Sequence, residues 1–400
     1  MTTMAQSGQL SRFYGQYKRP SQQIDDRRRN RMKNRLVFIG SYTQPIILGT
    51  GERIPGSGDG VTVYRMDEAG HLTRLFATGK PNPTYLALSA DKRFLYTVNE
   101  LKEYHEEASA AVSAYSINEK TGELTFLNRR MTGGGDACYL TTSENDSHLL
   151  AANFTGGSFS IFPILADGSL GTASCFVQHY GHSAHPARQA SPHVHQITPD
   201  PEGKHVLVAD LGTDEISVYG IDWASGLVTP NAAPAIKTEP GDGPRQFVFD
   251  QNGRFLYLVT ELSNTVRVYA YDSASGSATF LQSLPTLPED CAVESIAACI
   301  KLHPGGAFLY ASNRGHDSIA SYRVQEGGTL SPLAILSTGG KTPRDFNITP
   351  DGKFLLSGFQ DSNELILYSI DPLNGRLTEV ERTACNSPTA VLFADYECLA

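Results

Sequence analysis

His195, Arg245 and Arg344 stand at one matched position of a pattern that recurs along the chain, nine residues ahead of a basic or small turn residue. Thr84, Cys138 and Ala298 hold that position in other copies. A second matched position, just past an apolar strand, carries Tyr42, Glu100, Phe154, Leu211, Glu261, Arg314 and Gln360. If the repeat is circular, equivalent positions form rings around one axis, and the two sets converge. Two or three arginines recognise a carboxylate or phosphate through paired, charge-assisted hydrogen bonds. A glutamate and a histidine beside them can move protons. Polar groups gathered where a fold is otherwise apolar describe a small-molecule site. The same residues also read as a solvated rim, and Arg245-Gln246 or Arg344-Asp345 as pairs that hold loops by hydrogen bonds. The pattern alone leaves these readings side by side.

The elements that must position these residues are short strands. Six segments share a turn, a basic or small residue and an apolar run: Asp91–Val98, Asp146–Ala152, Glu202–Ala209, Asn252–Val259, Gly305–Ser312 and Asp351–Gly358. Asp-Gly and Asn-Gly supply the positive φ that tight hairpins need. A second strand of alternating character follows each, such as Val266–Tyr271, then another turn, such as Asn374–Thr378. Four short strands per unit with no helical period is the signature of a propeller blade. Leu36–Tyr42 supplies a seventh copy without its preceding strand, and Thr389–Phe393 a late strand without successors. Pairing the two closes an all-β, seven-bladed β-propeller over residues 35–400, at about 52 residues per blade. Closure removes exposed sheet edges. Pro45–Gly60 reads as a loop inserted in the first blade and Phe176–Ser191 as a long histidine-rich loop; long loops in a compact repeat fold usually carry function.

Residues 1–34 are polar, with a basic run at Arg27–Lys33, and read as a solvated tail without the apolar stretch of a secretory signal. A cytoplasmic location is therefore expected. A net charge of −9 argues against nucleic-acid partners, so any anionic ligand must be held by a local basic cluster. No apolar run is long enough for a membrane helix. The six cysteines form no CxxC pair and read as gap fillers. His179, His182, His185, His193 and His195 invite a metal site, with His193 and His195 on one face of a strand. A zinc site adds a supporting carboxylate and a third well-spaced ligand, which the loop histidines lack in sequence. No metal and no cofactor are expected. Asn153–Ser158 is a turn without the following helix of a phosphate loop, and no Gly-x-Ser-x-Gly elbow occurs.

Segments Asn82–Leu88, Arg188–His195, Ala209–Asp214, Gly243–Gln246, Leu284–Asp290, Ser312–Ser318 and Ser337–Arg344 together resemble the lactonase family of seven-bladed propellers. The resemblance runs from about Arg35 to the C-terminus. That family includes propeller-type 6-phosphogluconolactonases and 3-carboxy-cis,cis-muconate lactonizing enzymes. In the muconate enzymes a His, two Arg and a Glu are implicated in catalysis, and the motifs carry these roles onto His195, Arg245, Glu261 and Arg314. Arg344, Glu100, Tyr42, His193 and Gln360 are expected to contact substrate. The first-blade loop and the basic tail depart from shorter members. The reading is a hydrolase for a small anionic lactone, with either Glu261 or His195 handling the proton; the expected partner is that lactone or a carboxylate, and a monomer is expected. A cycloisomerase closing a carboxy-muconate, and a binding module without turnover, are the rival readings.

Overall fold

The structure, a computed structural model, describes residues 33–47 and 53–397, and apart from the strand-end residues Lys33 and Glu397 everything below lies in the compact unit Asn34–Tyr396. Residues 1–32 of the expected tail lie outside the described residues, as does Cys398. The first strand starts at Lys33, ahead of the expected boundary. Asn34 donates to the Glu119 carbonyl at 2.8 Å and Arg35 pairs with Asp395 at 2.6 Å, so both are part of the ring.

Seven antiparallel sheets follow one another around the chain. The first is built from Pro388–Glu397, Lys33–Ser41, Thr62–Met66 and Leu72–Ala77 in that order, so the late strand closes the first blade. The inner strands of blades two to seven are Leu86–Leu88, Ala137–Thr142, Val194–Pro199, Pro244–Phe249, Ile296–Leu302 and Pro343–Ile348.

The second strands read as continuous apolar runs because both of their faces are buried, one against each neighbouring blade. Leu36 and Phe38 pack with Leu86 and Leu95 of blade two, whereas Val37 and Ile39 pack with Leu356 and Leu365 of blade seven. Seven apolar clusters result, one at each junction between successive blades. The expected turns carry the expected backbone: Gly203, Gly253 and Gly352 have φ of 65°, 67° and 73°.

A second device recurs where strand two meets strand three. Asp214, Asn264, Asp317 and Asn363 sit at φ of 56°, 51°, 54° and 56°, a region that Asp and Asn tolerate best among residues with a Cβ. Their side chains reach forward along the chain: Asp214 accepts from the Gly241 and Gly243 amides and Asp317 from the Thr342 amide. These bonds fix the entry to the next blade, immediately ahead of Arg245 and Arg344.

The two long loops differ from expectation in detail. Cys175–Gln178 is the outer strand of blade three, so the histidine-rich loop begins only after it. The first-blade insertion contains a small hairpin, Ile46–Ile47 with Arg53–Ile54.

Candidate active site

Each inner strand from blade three to blade seven is interrupted by a β-bulge near its start, and the bulge falls on the first matched position. Register shifts bracket Cys138, His195, Arg245 and Arg344 singly, and Ala298 with Cys299. A bulged residue leaves the ladder and its side chain is re-aimed. Here the bulges turn Cys138, His195, Arg245 and Arg344 into one small chamber, which Thr84, Tyr85, Gln246, Asp345 and Thr389 complete. Its volume is about 10 Å³, close to the room one water needs. Thr389, from the late strand, is a further member of the ring.

Arg344 also lines a larger cleft of about 530 Å³, together with Arg53, Arg188, Arg314 and Gln360. Four arginines and two carboxylates, Glu294 and Asp361, give this wall a positive balance in a chain whose net charge is −9. The expectation of a local basic cluster is met by this arrangement. Arg53 comes from the first-blade hairpin and Arg188 from the histidine-rich loop, so both insertions reach the cleft.

Glu261 is the hub of the cluster. Its Oε2 accepts from Arg245 Nε at 2.7 Å and from Arg314 Nη2 at 2.8 Å, and its Oε1 from Arg188 Nη2. The carboxylate is 3% exposed. Burial would raise it, but Arg314, Arg188 and Arg245 override burial and hold it well below the ordinary carboxylate range. The sequence left Glu261 and His195 as alternatives for the proton. A carboxylate so held is a poor base at neutral pH and serves instead as counter-charge to three guanidiniums. Arg245 and Arg314 also donate to the carbonyls of Ala298 and Ala297. Burial and the company of Arg245, Arg344 and Arg188 bring Arg314 down to about 9, still cationic at neutral pH.

His195 is held differently. Desolvation first, then the positive charge of Arg245, lowers it well below the usual histidine value, so its ring is neutral at pH 7. Its Nδ1 is buried without a partner. Phe154 stands edge-on to it at 5.7 Å and stacks on His193 at 4.6 Å. His193 Nδ1 meets the Phe154 carbonyl at 3.1 Å, and burial lowers this ring also. His193 lies just ahead of the strand that starts at Val194, His195 sits on the bulge, and both rings meet Phe154.

Tyr42 and Glu100, expected to contact substrate, are buried and hydrogen-bonded to each other. The Tyr42 hydroxyl donates to Glu100 Oε1 at 2.8 Å, and Thr84 donates to Oε2 at 2.5 Å. Burial raises the Glu100 carboxyl, and Arg344 opposes that rise. Arg344 lies over the Tyr42 ring at 5.3 Å, a cation–π contact. The pair therefore positions Arg344 between cleft and chamber. Gln360 does reach the cleft wall; it donates to Asp361 at 2.9 Å and leaves its own Oε1 buried and unpaired.

Sequence reasoning missed Arg188, although it opens one of the motif segments, because no copy of the repeat shares its loop. It also missed the support given to His179, whose ring nitrogens meet Asp210 at 2.8 Å and the Tyr219 hydroxyl at 3.0 Å. That carboxylate anchors the loop: Asp210 also accepts from the His193 and Gly212 amides. Among the described residues, no three His, Cys, Asp or Glu side chains gather as a metal site would require.

Comparison with known proteins agrees with this architecture. The family described as "Lactonase, 7-bladed beta-propeller" matches residues 36–393. A 6-phosphogluconolactonase of Bacillus subtilis is 31% identical over 360 residues, covering 88% of this chain and 96% of its own length. A 6-phosphogluconolactonase of Formosa agariphila is 30% identical over 351 residues, covering 86% and 95%. The solved structure of the periplasmic gluconolactonase of Pseudomonas aeruginosa superimposes with a TM-score of 0.83 at 30% identity, covering 90% of this chain and 99% of that one. With blades, closure and full-length likeness in agreement, the chain belongs to the lactonase family of seven-bladed β-propellers.

Proposed function

We propose that the protein hydrolyses an anionic sugar-type lactone, of which 6-phosphogluconolactone is the nearest example, in the cleft between Arg344, Arg314 and Arg188. The observation that carries this reading is a neutral, buried His195 set beside a cluster of guanidiniums. A lactone carbonyl needs both: a base to deprotonate water and fixed positive charge where the oxyanion develops. His195 Nε2 takes a proton as water oxygen bonds to the carbonyl carbon. Arg344 and Arg314 stabilise the tetrahedral oxyanion, and they are already in place, so no reorganisation is needed during reaction. On collapse the ring C–O bond breaks, and the His195 imidazolium returns its proton to the leaving hydroxyl. The product is an open-chain carboxylate, with one proton released to solvent.

The cleft volume of about 530 Å³ falls within the ordinary range of about 300–1,000 Å³ for small-molecule sites. The positive wall favours a phosphorylated or carboxylated sugar over a neutral one. The relatives named 6-phosphogluconolactonase support the same substrate class.

A substrate panel tests the reading. Acid release from 6-phosphogluconolactone and from uncharged gluconolactone is followed in a pH-stat, alongside loss of diene absorbance from 3-carboxy-cis,cis-muconate. The expected result is turnover of both lactones, with the phosphorylated one showing the lower KM and the muconate unchanged. Diene loss with no acid release from either lactone would replace hydrolysis with cyclisation.

A further inference from the structure

Four side chains of the small axial chamber end in buried polar atoms without a hydrogen-bond partner: His195 Nδ1, Gln246 Oε1, Asp345 Oδ1 and Thr389 Oγ1. They come from blades four, five, seven and one, and two of them directly follow a bulged arginine. An unpaired buried polar atom is costly, so four around one chamber call for a shared partner. The chamber, of about 10 Å³, admits something no larger than a single water. The Gln246 and Asp345 oxygens would also suit a small cation, but Arg245 and Arg344 line the same walls and repel one.

We propose that this chamber is a single-water site through which Asp345 positions His195, a role that rests on the hydrolytic reading above. The water donates its two hydrogens to Gln246 Oε1 and Asp345 Oδ1, and accepts from Thr389 Oγ1 and His195 Nδ1. All four atoms are then satisfied and the water is four-coordinate. The proton is thereby fixed on Nδ1, and Nε2 is left bare as the atom that attacks a substrate water's proton. Asp345 is free for this role at one oxygen only, because its Oδ2 accepts from the Val391 amide at 2.9 Å and locks it to the first blade. Asp345 is a positioning residue here, since it acts through the water and the ring.

The charged and titratable groups around the pair are Arg245, Arg314, Arg344 and Glu261 about His195, with Cys138 against its backbone and Tyr85 across the chamber. Lys301 and Cys299 stand near Asp345. Replacing Asp345 removes a charge that Lys301 and Cys299 also feel, so a moved titration reports Asp345, and the uncharged Thr389→Val change separates the water bridge from an effect through space.

The experiment measures kcat and kcat/KM for a lactone from pH 4 to 8 in wild type, Asp345→Asn, Thr389→Val and His195→Gln. With Asp345→Asn, kcat is expected to fall on the order of tenfold, and the acid limb to move to lower pH, because imidazolium loses its distant counter-charge. Thr389→Val, which changes no charge, is expected to move the limb the same way by less. A limb that stays put in Asp345→Asn overturns the proposal. So does a limb that moves in Asp345→Asn and not in Thr389→Val, since the carboxylate would then act through space. Histidine-selective ¹⁵N NMR of the wild type, with His195 assigned by the His195→Gln spectrum, keeps the test open if a variant fails to fold: a protonated Nδ1 supports the water bridge and a protonated Nε2 refutes it. If His195→Gln keeps full activity, the hydrolytic reading itself fails; if it loses activity while the other tests fail, only the water bridge does.

Discussion

Glu261 is charged because its neighbours are, and the converse also holds. Removing its charge with Glu261→Gln would leave the buried Arg245 and the partly buried Arg314 and Arg188 without this counter-ion, and breaking a buried pair typically costs about 3–5 kcal/mol. A clear drop in the urea midpoint is expected, and an unchanged midpoint would show that the guanidiniums find other partners. Acid should act in the same direction. The folded-state value of Glu261 is depressed, so its stabilisation is present above the unfolded value of about 4.3 and is lost as pH falls through the folded value. His195 is depressed as well, so below about 6.5 the unfolded chain takes up a proton that the folded chain refuses. Urea midpoints at pH 7.5, 6.0 and 4.5 should therefore decline in order (pH values on the order of the two titrations). In His195→Gln the first part of that decline should shrink to what His193 and His148, which burial also depresses, contribute; an undiminished decline would assign the effect to those rings. The same depression sets the acid limb of activity below the ordinary histidine value of about 6.5.

At the scale of elements, bulges and loops do the positioning. A regular inner strand would spend His195, Arg245 and Arg344 on ladder pairing, and the extra residue in each frees the side chain. Counting along the repeat located these positions, because bulge and turn keep a fixed spacing in each copy. It could not show the bulge itself, and so could not show why Gln246 and Asp345, one residue on, also reach the chamber. Loop residues were less legible still. Arg188 has no equivalent in other blades, and its contact with Glu261 is 73 residues distant in sequence. That loop depends on close backbone approach at Gly212, where a Cβ would lie 1.9 Å from the Ser191 carbonyl oxygen and 2.8 Å from the Pro192 Cα. Gly212→Ala must therefore push the loop outward. Overpacking of this kind typically costs about 1–3 kcal/mol, and the displaced Arg188 should raise KM for the anionic lactone more than it lowers kcat. A variant with wild-type KM and melting temperature would show that the loop does not hold the cleft wall.

For the whole molecule, ring closure is what brings Thr389 to residues more than 40 positions earlier in the chain and to Thr84 near its start. The late strand supplies the inner edge of blade one, the Arg35–Asp395 pair, Ala390, Ala394 and Tyr396 of one apolar cluster and Val391 and Phe393 of another. Ending the chain at Ser387 would expose two blade faces and an inner strand edge. Far-ultraviolet circular dichroism of that truncation should show loss of the cooperative unfolding transition, whereas a wild-type melt would mean that six and three-quarter blades suffice. The closure was legible because Leu36–Tyr42 lacked a preceding strand and Thr389–Phe393 lacked successors. The division of labour inside the ring was not, since sequence spacing cannot say whether Glu100 and Tyr42 face a cleft or face each other. Burial and the 2.8 Å bond between them answer that.

The account turns on a neutral His195 acting as base beside fixed positive charge. Steady-state hydrolysis of 6-phosphogluconolactone by purified wild type and His195→Gln at pH 7 tests this most directly. A fall in kcat of about 10²–10⁴-fold, with KM changed little and the fold intact by circular dichroism, is the predicted result. Turnover at the wild-type rate without the imidazole would contradict it.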